Sequence, residues 1–250
     1  MKSKPVPLEN IIADMDLPDN NNPLKGVILL VPCFTCESTL AALQSMSHTL
    51  TQRGYATLRL SLSGSQAPDE DISSKTFNSH LDEVVTLTQY ALEHISEDVI
   101  IVGHCLGGLI SLFAEEQLQI KGIFTLGTSF DADNYDFGKR GLQEDENHII
   151  TLQINDHLVK IHRDYMENIH QSDILRRLNQ LKCPMMAVFF DEDETLDYSK
   201  SQKIIKSCEK AIETIVVNQI THLMDSENES YYLGNLIDVW AQTKLNKLYF

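Results

Sequence analysis

The chain reads as an α/β protein, a mostly parallel sheet with helices on both faces and a small cap inserted near its middle. Three observations carry this. Short apolar, β-branched runs recur along the sequence, and the segments between them have helical spacing. The runs are apolar throughout rather than alternating, the pattern of strands buried on both faces. Finally, 250 residues with 42% hydrophobic and 22% charged content are enough for one domain with a sizeable core. That domain is expected to span residues 8–250.

Taken in order, the residues up to Pro7 read as a tail, and Asn10–Leu17 as a short strand closed by the turn formers of 18–23. Gly26–Val31 is a continuous apolar strand, and Glu37–Arg53 follows with Leu40, Leu43, Met46 and Leu50 at helical spacing before Gly54 stops it. Tyr55–Leu60 is the next strand, and Ser79–Ile95 the next amphipathic helix. The run from Val99 leads to Gly103-His104-Cys105-Leu106-Gly107-Gly108 and a further helix, after which Gly122–Thr128 returns to the sheet. The rhythm then breaks. Residues 129–147 are polar and irregular, 148–154 and 158–161 form a hairpin pattern, and 162–181 has helical spacing. Residues 129–181 are therefore expected to be a cap-like insertion. Pro184–Phe190, a helix from Tyr198 to Ala211, the strand Thr214–Val217 and a helix from Glu229 to Thr243 complete the pattern.

Gly103 to Gly108 carries the chemistry. A strand that stops at a glycine, a nucleophilic side chain two residues on, and glycine again before a helix make the layout G-x-S-x-G of a nucleophile elbow, with cysteine in place of serine. The turn is strained and crowded, so its flanks must be small. A cysteine at a helix N-terminus gains from the unpaired N–H groups and the helix dipole, which favour its thiolate.

Active sites of open α/β sheets lie beyond the carboxyl ends of the strands. Two such places follow Cys105. The first is the acidic loop Asp191, Glu192, Asp193, Glu194 and Asp197; the second holds His222, the histidine that follows the last strand. Nucleophile, acid, histidine is the chain order of α/β-hydrolases. Oxyanion donors are expected at the backbone N–H of Leu106 and in the loop after Val31, at Phe34 or Thr35.

With these residues the chain resembles an α/β-hydrolase over nearly its full length. More narrowly, it resembles the hydrolase half of bacterial proteins in which that domain is fused to an OsmC-type domain. The matching pieces are Asp16-Leu17-Pro18, Cys33-Phe34-Thr35-Cys36, the elbow, Leu126-Gly127-Thr128, the hairpin and helix of the insertion, Phe189 to Leu196, and Thr221-His222-Leu223. The resemblance implies the α/β-hydrolase fold, Asp193 as the acid, with Asp191 as the alternative, and His222 as the base. Three positions depart from it: Cys105 stands where serine is usual, Pro32 where histidine is common, and Ser61 where an aspartate usually ends the strand. Any joint function with an OsmC-type domain is expected to need a separate chain. The elbow is also similar to that of dienelactone hydrolase, which has a cysteine nucleophile.

The activity implied is hydrolysis of a carboxylic ester, thioester or lactone by a Cys105–His222–Asp193 triad through an acyl-enzyme, with Phe34 and Leu106 as the oxyanion hole. No cofactor and no metal is implied, and the partner is a small-molecule acyl substrate. Two rivals belong to other classes: a catalytically silent binding protein on the same fold, and a thiol redox protein using Cys33 and Cys36 as a C-x-x-C pair. A zinc site of Cys33, Cys36, Cys105 and His222 is the weakest alternative, lacking a second C-x-x-C or a close histidine pair. A net charge of −16 argues against nucleic acid and anionic membrane as partners. The N-terminal residues lack a signal peptide's apolar stretch and scattered cysteines suggest reduced thiols, so the cytoplasm is the expected compartment.

Overall fold

A computed structural model describes residues 3–19, 23–33, 37–64, 70–135, 144–154, 157–193, 197–224 and 226–245. Its strands are β1 (Ser3–Pro5), β2 (Ile12–Asp16), β3 (Gly26–Val31), β4 (Tyr55–Ser61), β5 (Glu70–Asp71), β6 (Val99–His104), β7 (Gly122–Leu126), β8 (Ile149–Ile154), β9 (His157–His162), β10 (Met185–Phe190) and β11 (Glu213–Val217). The helices are α1 (Glu37–Gln52), α2 (Phe77–His94), α3 (Leu106–Ala114), α4 (Arg163–Gln171), α5 (Ile174–Asn179), α6 (Ser199–Ser207) and α7 (Glu227–Lys244).

The main sheet has the order β1-β2-β4-β3-β6-β7-β10-β11. β4, β3, β6, β7, β10 and β11 are mutually parallel, while β1 and β2 run antiparallel at one edge. Every residue of β3, β6 and β7 is buried, which is why these strands lack polar alternation. Their side chains divide between two cores. Val27, Leu29, Val31, Val99 and Ile101 face one core with the inner residues of α2 and α3; Ile28, Leu30, Ile100 and Val102 face the other with α1 and α7.

The segment between β7 and β10 holds the hairpin β8–β9 and the helices α4 and α5. It is tied to the main body by buried polar groups. His80 of α2 donates from Nε2 to the Ser63 carbonyl, 3.0 Å away, and its Nδ1 accepts from the hydroxyl of Tyr165 in α4 at 2.9 Å. Burial lowers the His80 pKa, so the ring stays neutral and one tautomer serves both bonds. From α5, the buried Arg177 bonds the Glu115 carboxylate and the Leu112 carbonyl at the end of α3.

The structure corrects several sequence expectations. Ser3–Pro5 is not a tail; it pairs antiparallel with β2, Ser3 opposite Asp16, as the edge strand where a proline costs no ladder bond. The helical stretch 162–181 is two helices, because Ser172 ends α4 and the Asp173 side chain accepts from Arg176 N–H to start α5. The helix after Tyr198 ends at Ser207 rather than Ala211. A second sheet, β5-β9-β8, was not anticipated: Glu70–Asp71 adds to the hairpin in parallel.

Candidate active site

β6 points the chain into a sharp turn. Cys105 lies at φ 51°, ψ −117°, a strained conformation for a residue with a side chain, and α3 begins at the next residue. The turn is fixed on three sides. Cys105 N–H donates to the Leu126 carbonyl at 2.8 Å, while its carbonyl accepts from Thr128 Oγ1 at 2.9 Å and from Gly108 N–H at 3.1 Å. The glycines are required by close approach. A Cβ on Gly103 would sit 2.4 Å from Gly108 Cα, and one on Gly107 would sit 2.3 Å from the Pro32 carbonyl oxygen. The end of β3 is thus pressed against the start of α3.

The acid and the histidine arrive from β10 and β11. Asp193 follows the end of β10, and His222 lies in the loop between β11 and α7, flanked by Gln219 and Met224 at positive φ. His222 Nδ1–H donates to Asp193 Oδ2 at 2.5 Å. The Tyr198 hydroxyl, at the start of α6, donates to the same oxygen. Behind the histidine, His104 Nε2–H donates to the backbone carbonyl of His222 at 2.8 Å, with the two rings 5.0 Å apart. Burial, aided by the neighbouring His222, pushes the His104 pKa down to about 3, so that ring is neutral. His222 moves the other way. Burial would lower it, but the hydrogen bonds and negative charges of Asp193 and Cys33 outweigh burial and raise it to about 9.

Cys33, two residues beyond β3, completes the centre. The electrostatic influence of Cys105 is the main cause that pulls Cys33 down to about 5, against burial, and the His222 ring and the backbone N–H of Leu106 assist. Cys105 is pushed well up, by its neighbour Cys33, by burial and by the adjacent negative charge. Of the two thiols, Cys33 is therefore the more acidic. Tyr135 and Tyr165, both buried, close off this region, and the field of Cys33 adds to the burial that raises both phenols.

Cys105, Leu106, His222 and Asp193 all follow the carboxyl ends of strands, and hydrogen bonds join His222 to Asp193 and, through its backbone, to His104. Phe34, Thr35 and Cys36 lie outside the described residues, and so does Glu194. Asp191 is directed elsewhere: its carboxylate accepts from Gln219 N–H at 2.9 Å, joining the two strand-end loops. Sequence reasoning placed Cys33 in a C-x-x-C and, with Cys36, Cys105 and His222, in a zinc site, but gave it no part in the acyl-transfer reading; it missed His104 and Tyr198, which act on the loops of His222 and Asp193 through contacts that only the fold creates. Among the described residues no cluster of His, Cys, Asp and Glu has the arrangement of a metal site. No helix among them is long and apolar enough to cross a membrane.

No protein-family model and no curated protein sequence matches the chain. Solved structures do. The esterase domain of a Rhodothermus marinus protein superposes with a TM-score of 0.78 at 20% identity, over 97% of this chain and 99% of that one. Est1E from Butyrivibrio proteoclasticus, with ferulic acid bound, gives 0.78 at 22% identity, over 98% and 100%. A dienelactone hydrolase from Anabaena variabilis gives 0.65 at 12% identity, over 97% of both chains. The chain has the α/β-hydrolase fold.

Proposed function

We propose that the chain is an acyl hydrolase that cleaves a carboxylic ester, thioester or lactone through Cys105, His222 and Asp193. The observation that carries this reading is the strained Cys105 at the elbow together with His222, from a neighbouring strand-end loop, held by a strand-end carboxylate 2.5 Å away. The esterases and the dienelactone hydrolase of the same fold support the substrate class.

With Cys33 the more acidic thiol and taken as the resting anion, the cycle starts with transfer of the Cys105 thiol proton to Cys33. Neutral Cys33 is a poor acceptor and releases the Leu106 N–H, which then receives the developing oxyanion. Phe34 is the proposed second donor. The Cys105 thiolate attacks the carbonyl carbon, and the leaving alkoxide or thiolate takes the proton of the His222 imidazolium. Neutral His222 then deprotonates a water, which attacks the thioester; the acid is released and Cys105 leaves as the thiolate. Asp193 holds the imidazole in one tautomer throughout. Turnover of short aryl esters, thioesters and lactones by wild type, Cys105→Ala and His222→Ala tests the proposal. Loss in both variants is expected, and unchanged rates in both would overturn it.

A further inference from the structure

Acyl transfer needs one sulfur at the elbow, and this site holds two. The β3–β6 register explains why. Val31 lies opposite Gly103, and just beyond it the chain is pressed against the start of α3, where a Cβ on Gly107 would lie 2.3 Å from the Pro32 carbonyl oxygen, so the next residue, Cys33, falls at the elbow. The two side chains are close enough to perturb each other's titration, and both cysteines are free. The backbone of Cys105 is pinned from Leu126, Thr128 and Gly108, so the pairing is built into the fold.

The surroundings select the oxidant. Cys105 is 6% exposed and Cys33 is half-buried, an exposure that favours a small oxidant over another protein's disulfide. The anion on Cys33 sits at the N-terminus of α3, and His222 beside it carries a proton to give to a departing oxygen. A thiolate, a proton donor and a second thiol are the three groups needed to reduce an O–O bond.

We propose that Cys33 and Cys105 form a redox-active dithiol that reduces a small hydroperoxide and closes to an intramolecular disulfide. Cys33 thiolate attacks the terminal oxygen; the S–O bond forms, the O–O bond breaks, and the departing alkoxide takes the proton of His222. Cys105 then attacks the sulfenic sulfur; the S–S bond forms, the S–O bond breaks, and the hydroxide leaves as water with the Cys105 proton. The peroxide gains two electrons and the dithiol loses two. An external thiol reverses the change by reducing the disulfide while being oxidised itself. The disulfide also removes the acyl nucleophile, and this last consequence alone rests on the hydrolase reading.

The test is to treat the reduced full chain with one equivalent of hydrogen peroxide, count thiols and map non-reduced peptides by mass spectrometry. The expected result is loss of two thiols, a Cys33–Cys105 cross-link, and its reversal by dithiothreitol. Cys208→Ser should behave as wild type, because Cys208 lies at the end of α6, away from the elbow. Cys105→Ser should stop at Cys33 sulfenic acid, trapped by dimedone, with no cross-link. A Cys33–Cys36 link, or oxidation of one cysteine without a cross-link in wild type, would overturn the proposal. These readouts need no ester substrate, so they stand apart from any failure of the hydrolase assay. Where hydrolysis is measured, it should fall more than tenfold in the oxidised form and return on reduction.

Discussion

His104, the residue before the elbow cysteine, donates its Nε2–H to the backbone carbonyl of His222, 2.8 Å away. The strand that leads into Cys105 therefore also holds the loop that carries His222. His104 is wholly buried and its Nδ1 has no hydrogen-bond partner among the described residues, so the ring is kept for this one donation.

Replacing His104 by Phe keeps the bulk and removes the donor. A buried carbonyl left unpaired costs about 1–3 kcal/mol, so kcat/KM for an activated ester should fall about tenfold or more. His104→Gln retains an N–H and should recover part of the rate. The two variants are separated by steady-state kinetics, with the His222 titration followed by NMR to show that the base itself has moved.

Tyr198→Phe removes a donor from Asp193 Oδ2. With one fewer hydrogen bond the carboxylate becomes more basic and holds the His222 proton harder. His222 should titrate at higher pH than in wild type, and stability should fall by about 1 kcal/mol. NMR titration and urea denaturation read the two effects.

Hydrolysis should follow a bell-shaped pH profile. The reactive form carries one sulfur anion beside a protonated His222. The anion is lost as pH falls through about 5, where Cys33 takes up its proton, and the leaving-group proton is lost as pH rises through about 9, where His222 gives its proton up. Asp193 and the buried Tyr135 and Tyr198 face the same centre; burial raises both phenols, so neither ionises within that window. Measuring kcat/KM from pH 4 to 10 checks both limbs.

Arg177→Ala tests how the segment between β7 and β10 is anchored. It leaves the Glu115 carboxylate buried without its guanidinium, although that carboxylate still accepts from Lys182 N–H at 2.8 Å and Cys183 N–H at 3.2 Å. Breaking a buried pair from one side costs about 3–5 kcal/mol. The expected outcome is a lower urea midpoint with an unchanged m-value.

The buried strands were legible because burial on both faces erases polar alternation, as in Gly26–Val31 and Val99–Val102. The elbow was legible because its glycines are dictated by contacts within a few residues and against the end of β3. Contacts made by distant segments left no local trace. The two-residue β5 exists only because β9 offers an edge, and nothing around Tyr198 signals that its hydroxyl reaches Asp193. The break at Ser172-Asp173 was readable in principle, since aspartate is a strong N-cap, but the helical spacing of its neighbours masked it. The approach of Cys33 to Cys105 required the register of two strands separated by α1, β4, β5 and α2.

In the proposed reaction Cys105, not Cys33, forms the acyl-enzyme. Mixing the reduced protein with an excess of an aryl acetate, quenching in acid within the first turnovers and mapping the peptides locates the acyl group. One acetyl group is expected on the peptide containing Cys105, absent from the Cys105→Ala protein. Acetyl on Cys33 alone, or none on either cysteine while the ester is turned over, would contradict it.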